Sequence, residues 1–219
     1  MDHDSFRFPV GDGSVPASFE SPERPSALLV LAPGAGSGRD HPFLLGLSSA
    51  LAEAGVATLR FDFPYREAGR RFPDRPPAAI AAWRAAMDAA RERAGGAPVW
   101  AGGKSFGGRM ASMAVADGMP AAGLVLLGYP LHPPGKPEAL RVEHLPEVHV
   151  PMRFVQGTND PFATPNEELD AIVADLPTAS IDWVPGGGHS FEVKGVKRSQ
   201  AELGADLAPG VAAFIAAHA

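Results

Sequence analysis

The sequence predicts an α/β fold in which a mostly parallel central sheet is flanked by helices on both faces. Short apolar runs alternate with longer stretches of helical periodicity, and turn residues such as glycine and proline separate them. Strands that alternate with helices of this length are joined by right-handed crossovers, which produce a parallel sheet. The chain has 219 residues and no evident internal linker, so we expect one domain over residues 1–219.

The first elements predict an edge hairpin, a strand and a helix. Within residues 1–24, the runs FRFPV and VPASFES predict an antiparallel hairpin at one edge of the sheet. The apolar run ALLVLAPG, residues 27–34, predicts a buried strand that ends in a Pro-Gly turn. A helix follows, because Pro42 suits a first helical position and Gly55 suits a helix C-terminus.

Further strand candidates continue the alternation, and two helices lie among them. The strand candidates are residues 56–63, 97–103, 123–130, 151–160 and 179–185, and the two helices are residues 76–96 and 106–118. The proline-rich residues 129–151 form the least regular region, and they are too short for a second domain.

The last two predicted helices carry N-terminal capping boxes. In TPNEELDAIVADL the pair is Thr164 and Glu167, and in the C-terminal helix it is Ser199 and Glu202. Pro209 interrupts the C-terminal pattern, which predicts that this helix is kinked or split there.

Composition and charge exclude several classes of protein. The net charge of -6 and the pI near 5.6 argue against a broad nucleic-acid surface, which needs a basic stripe. The chain has no cysteine, which excludes disulfides, thiolate nucleophiles and cysteine-based metal sites. The longest apolar runs are too short to cross a bilayer, and the acidic start lacks the apolar core of a signal peptide. We therefore expect a cytoplasmic protein.

A serine flanked by glycines follows the third strand of the predicted parallel sheet. In G-K-S-F-G, residues 103–107, Ser105 lies between a strand and a helix. This context is typical of a nucleophile elbow, a tight turn that exposes a serine hydroxyl at the carboxyl edge of the sheet. Glycines suit both flanks because the strand and the helix pack closely there.

Two other interpretations of Ser105 compete with the nucleophile. A phosphate loop, G-x-x-x-x-G-K-[ST], needs a glycine at position 98, where this chain has Pro98, so the spacing excludes it. A serine that only caps the following helix is common, and this stretch alone leaves that interpretation open. The presence of catalytic partners elsewhere in the chain decides between them.

A candidate base and a candidate carboxylate follow Ser105 along the chain. His189 lies after the last strand candidate in the run VPGGGHSF, and Asp160 ends the strand PMRFVQGTND. A serine hydroxyl needs a general base, and the base needs a carboxylate that fixes its tautomer. Asp62 and Asp182 are weaker candidates for that carboxylate, because Asp62 precedes the serine and Asp182 lies inside a strand pattern.

Two backbone amides are predicted to bind the oxyanion that forms when a carbonyl is attacked. Phe106 directly follows the serine, at the start of the helix. Ala35 lies in the glycine-rich turn that follows the strand of residues 27–34, where small residues let the backbone approach a substrate. Each such donor is typically worth about 10²–10³ in rate.

Together these motifs resemble the α/β-hydrolase fold and, within it, the lidless serine hydrolases related to dienelactone hydrolase. The resemblance rests on APGAGSG, RFDFPYRE, GGKSFGGRM, GYPLHPPGKP, QGTNDPF and GGGHSF, and it extends over about residues 25–217. It implies a catalytic triad and an oxyanion hole made by Ser105, Asp160, His189, Ala35 and Phe106. Many relatives have a histidine where this chain has Pro33.

The sequence therefore predicts a serine hydrolase that cleaves a small or soluble carboxylic ester, or a thioester, without a cofactor or metal. Its partner would be a small-molecule acyl substrate, with no nucleic acid and no membrane insertion, and a homodimer stays open. Tyr65, Tyr129 and His132 are candidates for the lining of the pocket. Lys104 and Arg109 flank the serine without an evident role. A non-catalytic binding or scaffold protein with the same fold is the alternative.

Overall fold

Within residues 2–218, which are the residues that the computed structural model describes, eight strands form one sheet. Residue 1 of the predicted hairpin and residue 219 of the predicted domain lie outside the described residues. The strand order is β1-β2-β4-β3-β5-β6-β7-β8. The strands are β1 (Asp2–Val10), β2 (Gly13–Ser21), β3 (Ala27–Ala32), β4 (Val56–Phe61), β5 (Val99–Lys104), β6 (Leu124–Leu127), β7 (Met152–Gly157) and β8 (Ala179–Val184).

The sheet is mostly parallel, as predicted. The six strands from β3 to β8 pair in parallel, whereas β1 and β2 form an antiparallel hairpin that joins the sheet beside β4. The helices are α1 (Pro42–Glu53), α2 (Pro64–Glu67), α3 (Pro76–Arg93), α4 (Phe106–Ala116), α5 (Asn166–Ala174) and α6 (Gln200–Ala217), with a short 3₁₀ helix at Leu145–Glu147.

Helices cover both faces of the sheet, and the side chains of β3 show why. Leu28 and Val30 point into one apolar layer, which also contains buried residues of α3, α4 and α5. Leu29 and Leu31 point into the opposite layer, which α1 and α6 complete. Successive strand residues face opposite sides, so a strand that is apolar throughout is buried between two layers. The predicted α/β-hydrolase fold with helices on both faces is confirmed.

Of three local predictions about helices, the first was wrong, the split in the second was excluded, and the third was confirmed. The Thr164 cap does not form: α5 begins at Asn166, and the Thr164 hydroxyl instead donates to the backbone oxygen of Asp160 at 2.9 Å. Helix α6 is not split, because it runs through Pro209 while residues on both sides of the proline are packed in the apolar layer. The capping box of Ser199 and Glu202 is present.

Among residues 2–218, no helix is both long enough and apolar enough to cross a membrane.

Candidate active site

Ser105 occupies a sharp turn between β5 and α4. Its backbone lies at φ 49 and ψ -112, a conformation that residues with a side chain rarely adopt. The turn can form because its flanks are glycines: a Cβ at Gly103 or at Gly107 would lie 2.5 Å from the backbone oxygen of Ala32 on β3. The Ser105 amide is used structurally, since it donates to the Leu127 oxygen at 2.8 Å. The Ser105 hydroxyl is thereby presented at the carboxyl edge of the sheet.

Three side chains that are far apart in sequence form one chain of hydrogen bonds. The Oγ of Ser105 lies 2.9 Å from Nε2 of His189. Nδ1 of the same ring lies 2.7 Å from Oδ2 of Asp160. An ionised carboxylate has no proton to donate, so Nδ1–H donates to Asp160 and Nε2 is free to accept from the serine hydroxyl. This is the tautomer that a general base requires.

The carboxylate of Asp160 is fully buried, and local donors stabilise its charge. It accepts from the backbone amide of Phe162 at 2.9 Å and from the side-chain amide of Gln156. A buried carboxylate is tolerated where its oxygens are hydrogen-bonded. The ring of Phe162 also packs on the His189 ring, with centroids 4.2 Å apart. The same short loop therefore orients both the acid and the base.

Backbone contacts tie the loops that carry Asp160 and His189 to each other. The Asn159 amide donates to the Gly187 oxygen at 2.8 Å, and a Cβ at Gly157 would lie 2.2 Å from that oxygen. Glycine at position 157 is needed for this close approach, not for an unusual backbone angle. The glycines before His189 let the loop after β8 fold back against the end of β7.

The two residues whose amides are predicted to form the oxyanion hole, Ala35 and Phe106, both border the cavity in front of Ser105. Neither the Ala35 nor the Phe106 amide donates to another residue within the described part of the chain. Phe106 is the first residue of α4, where the helix itself supplies no acceptor. The turn that carries Ala35 is fixed by the next residue, because the Gly36 amide donates to the Tyr65 hydroxyl at 2.9 Å.

The three residues predicted to line the pocket lie behind it instead. Tyr65, Tyr129 and His132 are each buried to within 1% of full burial and do not border the cavity. The Tyr129 hydroxyl donates to the Arg141 oxygen at 2.6 Å, and both ring nitrogens of His132 lie within 2.9 Å of backbone oxygens. Their polar groups are thus used to hold loops in place, because a buried polar group needs a partner.

The rival carboxylates serve structural roles. Asp62 accepts from the backbone and the guanidinium of Arg39, at 2.7 and 2.8 Å, and so anchors the loop before α1. Asp182 pairs with Arg153 at 2.8 Å on the outer strands. Neither carboxylate is hydrogen-bonded to a histidine within residues 2–218.

A second serine–histidine contact does not form a comparable site. Nε2 of His144 lies 2.7 Å from the Oγ of Ser112, but that hydroxyl is fully buried and donates to the Arg109 oxygen at 2.9 Å. The His144 nitrogen must therefore be the donor, so it does not act as a base toward this serine. Burial, together with the charge of Arg109, lowers the pKa of His144 to about 4, which keeps the ring neutral.

The cavity in front of Ser105 has a volume of about 420 Å³ and a basic lining. Besides His189, its basic side chains are His41, Lys104, Arg109 and Arg141, and no Asp or Glu of the described residues borders it. Burial lowers the pKa of Lys104 to about 8, although Asp160 and Glu192 act in the opposite direction. Burial and then the charge of Lys104 lower the pKa of His41.

Sequence reasoning did not foresee this basic lining. Lys104 lies in the elbow motif and Arg109 lies two residues after it, so the sequence shows that both are near the serine but not which way their side chains point. Arg141 lies in the irregular segment between β6 and β7, where no periodicity indicates which way a side chain points.

Within residues 2–218, no group of three or more metal-ligating side chains could hold a metal ion.

A mostly parallel sheet with a strained serine between a strand and a helix, followed in the chain by an aspartate and a histidine, defines the α/β-hydrolase class. The chain belongs to this family: the model described as an alpha/beta hydrolase domain matches residues 25–217.

Solved structures share this fold over nearly the whole chain. A dienelactone hydrolase from Anabaena variabilis is 21% identical, with a TM-score of 0.77 and coverage of 99% of this chain and 98% of that one. A serine hydrolase without a lid from Xanthomonas campestris is 19% identical, with a TM-score of 0.76 and coverage of 98% and 95%. Est1E from Butyrivibrio proteoclasticus, with bound ferulic acid, is 17% identical, with a TM-score of 0.75 and coverage of 96% and 99%. The predicted resemblance to lidless hydrolases is confirmed at the level of the fold.

Proposed function

We propose that this protein is a serine hydrolase that cleaves a small or soluble carboxylic ester, or a thioester, by a two-step acyl-enzyme route. The observation that carries the proposal is the chain of hydrogen bonds from Asp160 through His189 to Ser105. A hydroxyl that only capped α4 would accept from a helix amide, and Ser105 makes no such bond with the described residues.

In the first step, Nε2 of His189 takes the Ser105 proton as Oγ attacks the carbonyl carbon. The carbonyl oxygen becomes an oxyanion between the amides of Ala35 and Phe106, each worth about 10²–10³ in rate. Asp160 stabilises the imidazolium, which then gives its proton to the leaving alcohol or thiol. In the second step, His189 takes a proton from water as the water oxygen attacks the acyl carbon. The bond between that carbon and Oγ then breaks, and His189 returns the proton to Oγ of Ser105, which releases the acid.

The segment between β6 and β7 supports a preference for small substrates. Residues 128–151 contain a single 3₁₀ turn, Leu145–Glu147, and no longer helix among the described residues of that segment. The described part of this segment therefore supplies no helical lid over the cavity. A cavity of about 420 Å³ suits a small acyl group.

A fluorophosphonate probe tests the nucleophile directly. Wild-type protein should be labelled at Ser105, and labelling should disappear in Ser105→Ala while Ser112→Ala, the buried serine beside His144, is still labelled. Labelling that persists in Ser105→Ala would remove the assignment. Hydrolysis of p-nitrophenyl esters of increasing chain length should be fastest for short acyl groups.

The same probe separates the enzyme from a non-catalytic scaffold. A folded wild-type protein that is neither labelled nor able to hydrolyse any ester would favour the scaffold. The cytoplasmic location, the homodimer and the choice between ester and thioester stay predictions from the sequence.

A further inference from the structure

Arg109 and Arg141 are two cations that border the cavity, and within residues 2–218 neither has a carboxylate within 4 Å. Neither forms an ion pair with any residue of the described chain. Nε of Arg109 is buried and has no hydrogen-bond partner. Four other arginines, Arg24, Arg66, Arg71 and Arg75, also form no ion pair within residues 2–218, but they are exposed, whereas Arg109 and Arg141 are half-buried.

The two guanidinium groups also oppose each other. Burial lowers the pKa of Arg141, and the positive charge of Arg109 is the next largest cause. Placing like charges together at a partly buried surface costs free energy unless an anion offsets it. The neighbouring ring of His144 is neutral, and Tyr129 uses its hydroxyl to bind the Arg141 backbone. Burial has the largest effect on the pKa of His144 and of Tyr129, and the charge of Glu143 acts to raise both. Glu143 is not among the causes that act on the pKa of Arg141, and within residues 2–218 it forms no ion pair with either arginine.

The position of the pair relates it to the nucleophile. Arg109 lies in the first turn of α4, where its backbone amide donates to the Ser105 backbone oxygen at 3.0 Å. Arg141 approaches from the segment after β6 and borders the same cavity. An anion bound by both would lie inside the cavity, at the end that α4 and this segment form.

We propose that Arg109 and Arg141 form an anion subsite, which makes the preferred substrate an ester that carries a carboxylate or a phosphate group. A guanidinium group binds either anion through two N–H donors that lie in one plane, a geometry that the ammonium group of a lysine does not offer. This inference extends the proposed function and depends on it, because the bound anion is part of a substrate only if the protein is a hydrolase. The subsite itself can be tested without turnover.

A matched pair of esters tests the preference during turnover. Monoethyl succinate carries a carboxylate, and ethyl succinamate replaces that carboxylate by a neutral amide of the same shape. At pH 7, the wild-type kcat/KM should favour monoethyl succinate by about tenfold or more, which corresponds to one buried charge-assisted contact. Arg141→Met should bring the ratio near one, and Arg141→Glu should invert it.

Controls separate the subsite from the general charge of the protein. Arg84→Met removes the same charge from α3, where Arg84 pairs with Asp117, and it should leave the ratio unchanged. Arg109→Met is the second test in case Arg141→Met does not fold, and thermal unfolding of each variant decides that. A wild-type ratio of one or less, or an equal loss in Arg84→Met, would overturn the proposal.

Calorimetry with Ser105→Ala separates failure of the subsite from failure of the proposed function. Succinate and inorganic phosphate are titrated in turn, and the stronger binder identifies the anion. Binding that weakens at least tenfold when Arg141→Met is added supports the subsite even if wild-type protein hydrolyses neither ester. Absence of binding by both anions overturns the subsite even if the fluorophosphonate probe labels Ser105.

Discussion

Lys104 lies next to Ser105 at the cavity, and burial of its ammonium group destabilises the folded protein. The side chain is half-buried and has no ion-pair partner within 4 Å among the described residues. Burial lowers its pKa from 10.5 to about 8, against the attraction of Asp160 and Glu192. Between these two pH values the unfolded chain binds more protons than the folded chain, so the free energy of unfolding rises with pH across that window. Below about pH 8 the cost is fully present.

We therefore expect Lys104→Met to increase the free energy of unfolding at pH 7 by about 2 kcal/mol. This value is smaller than the full pKa shift would give, because solvent screens a half-buried charge. The stem of methionine keeps the apolar contacts of the lysine. The advantage of the variant should shrink from about pH 8 upward and vanish near pH 10.5. Urea titrations of both proteins at pH 7, 9 and 10.5 measure the difference, and a difference that is independent of pH would contradict this account.

Tyr65 holds the turn of the proposed oxyanion hole through one hydrogen bond. Its hydroxyl accepts from the Gly36 amide at 2.9 Å, next to the amide of Ala35. Tyr65→Phe leaves the Gly36 amide without its acceptor, which costs about 1–3 kcal/mol and loosens the turn. We expect kcat for a neutral ester to fall about tenfold with little change in KM, because the loss falls on the transition state.

Tyr129→Phe is the matched control for this prediction, since the chain has two tyrosines and the other one bonds the Arg141 backbone. It should leave kcat for the neutral ester within about threefold of the wild-type value. Equal losses in the two variants would show that Tyr65 acts on overall stability rather than on the oxyanion turn.

The strand–helix turn around Ser105 depends on glycine at position 107. A Cβ there would lie 2.5 Å from the Ala32 oxygen and 2.6 Å from the Pro33 oxygen, both of them backbone atoms that cannot rotate away. Gly107→Ala should lower the free energy of unfolding by about 2–3 kcal/mol, since strand and helix must separate. It should also slow fluorophosphonate labelling. Gly13→Ala in β2 is the control: its Cβ would meet its nearest atom at 3.8 Å, so both measurements should stay near wild type.

Several features of the active site could be predicted from the sequence alone. The flanking glycines, the position of the serine after a strand and the order of the three candidate residues are local signals, and the structure brings those residues together. The Thr164 cap failed because its hydroxyl is used by the turn at Asp160, a contact that depends on the loop that carries the acid. The inward direction of Arg141 also depends on tertiary packing, so no local pattern contains it.

At the scale of the whole molecule, the site is assembled by the sheet. The ends of β5, β7 and β8 bring Ser105, Asp160 and His189 together, although Ser105 and His189 are 84 positions apart. The alternation of strands and helices predicted this edge, because the carboxyl ends of parallel strands meet there. The same alternation could not predict which side chains line the pocket. Tyr65 and Tyr129 both follow strands, yet their side chains turn inward and bind backbone groups.

Because the sheet brings the site residues together from distant strands, we expect catalytic activity and the fold to be lost together. Phe214 on α6 is 4% exposed, packs edge-on against Trp100 in the second apolar layer, and is not among the described residues that border the cavity. Phe214→Ala should lower the free energy of unfolding by about 3–5 kcal/mol. The urea midpoint measured by circular dichroism and the midpoint for loss of fluorophosphonate labelling should fall by the same amount, as expected for one cooperative unit. Val196→Ala, at a side chain that is 56% exposed, should shift neither midpoint. Loss of labelling well below the transition seen by circular dichroism would mean that the catalytic loops unfold independently of the sheet.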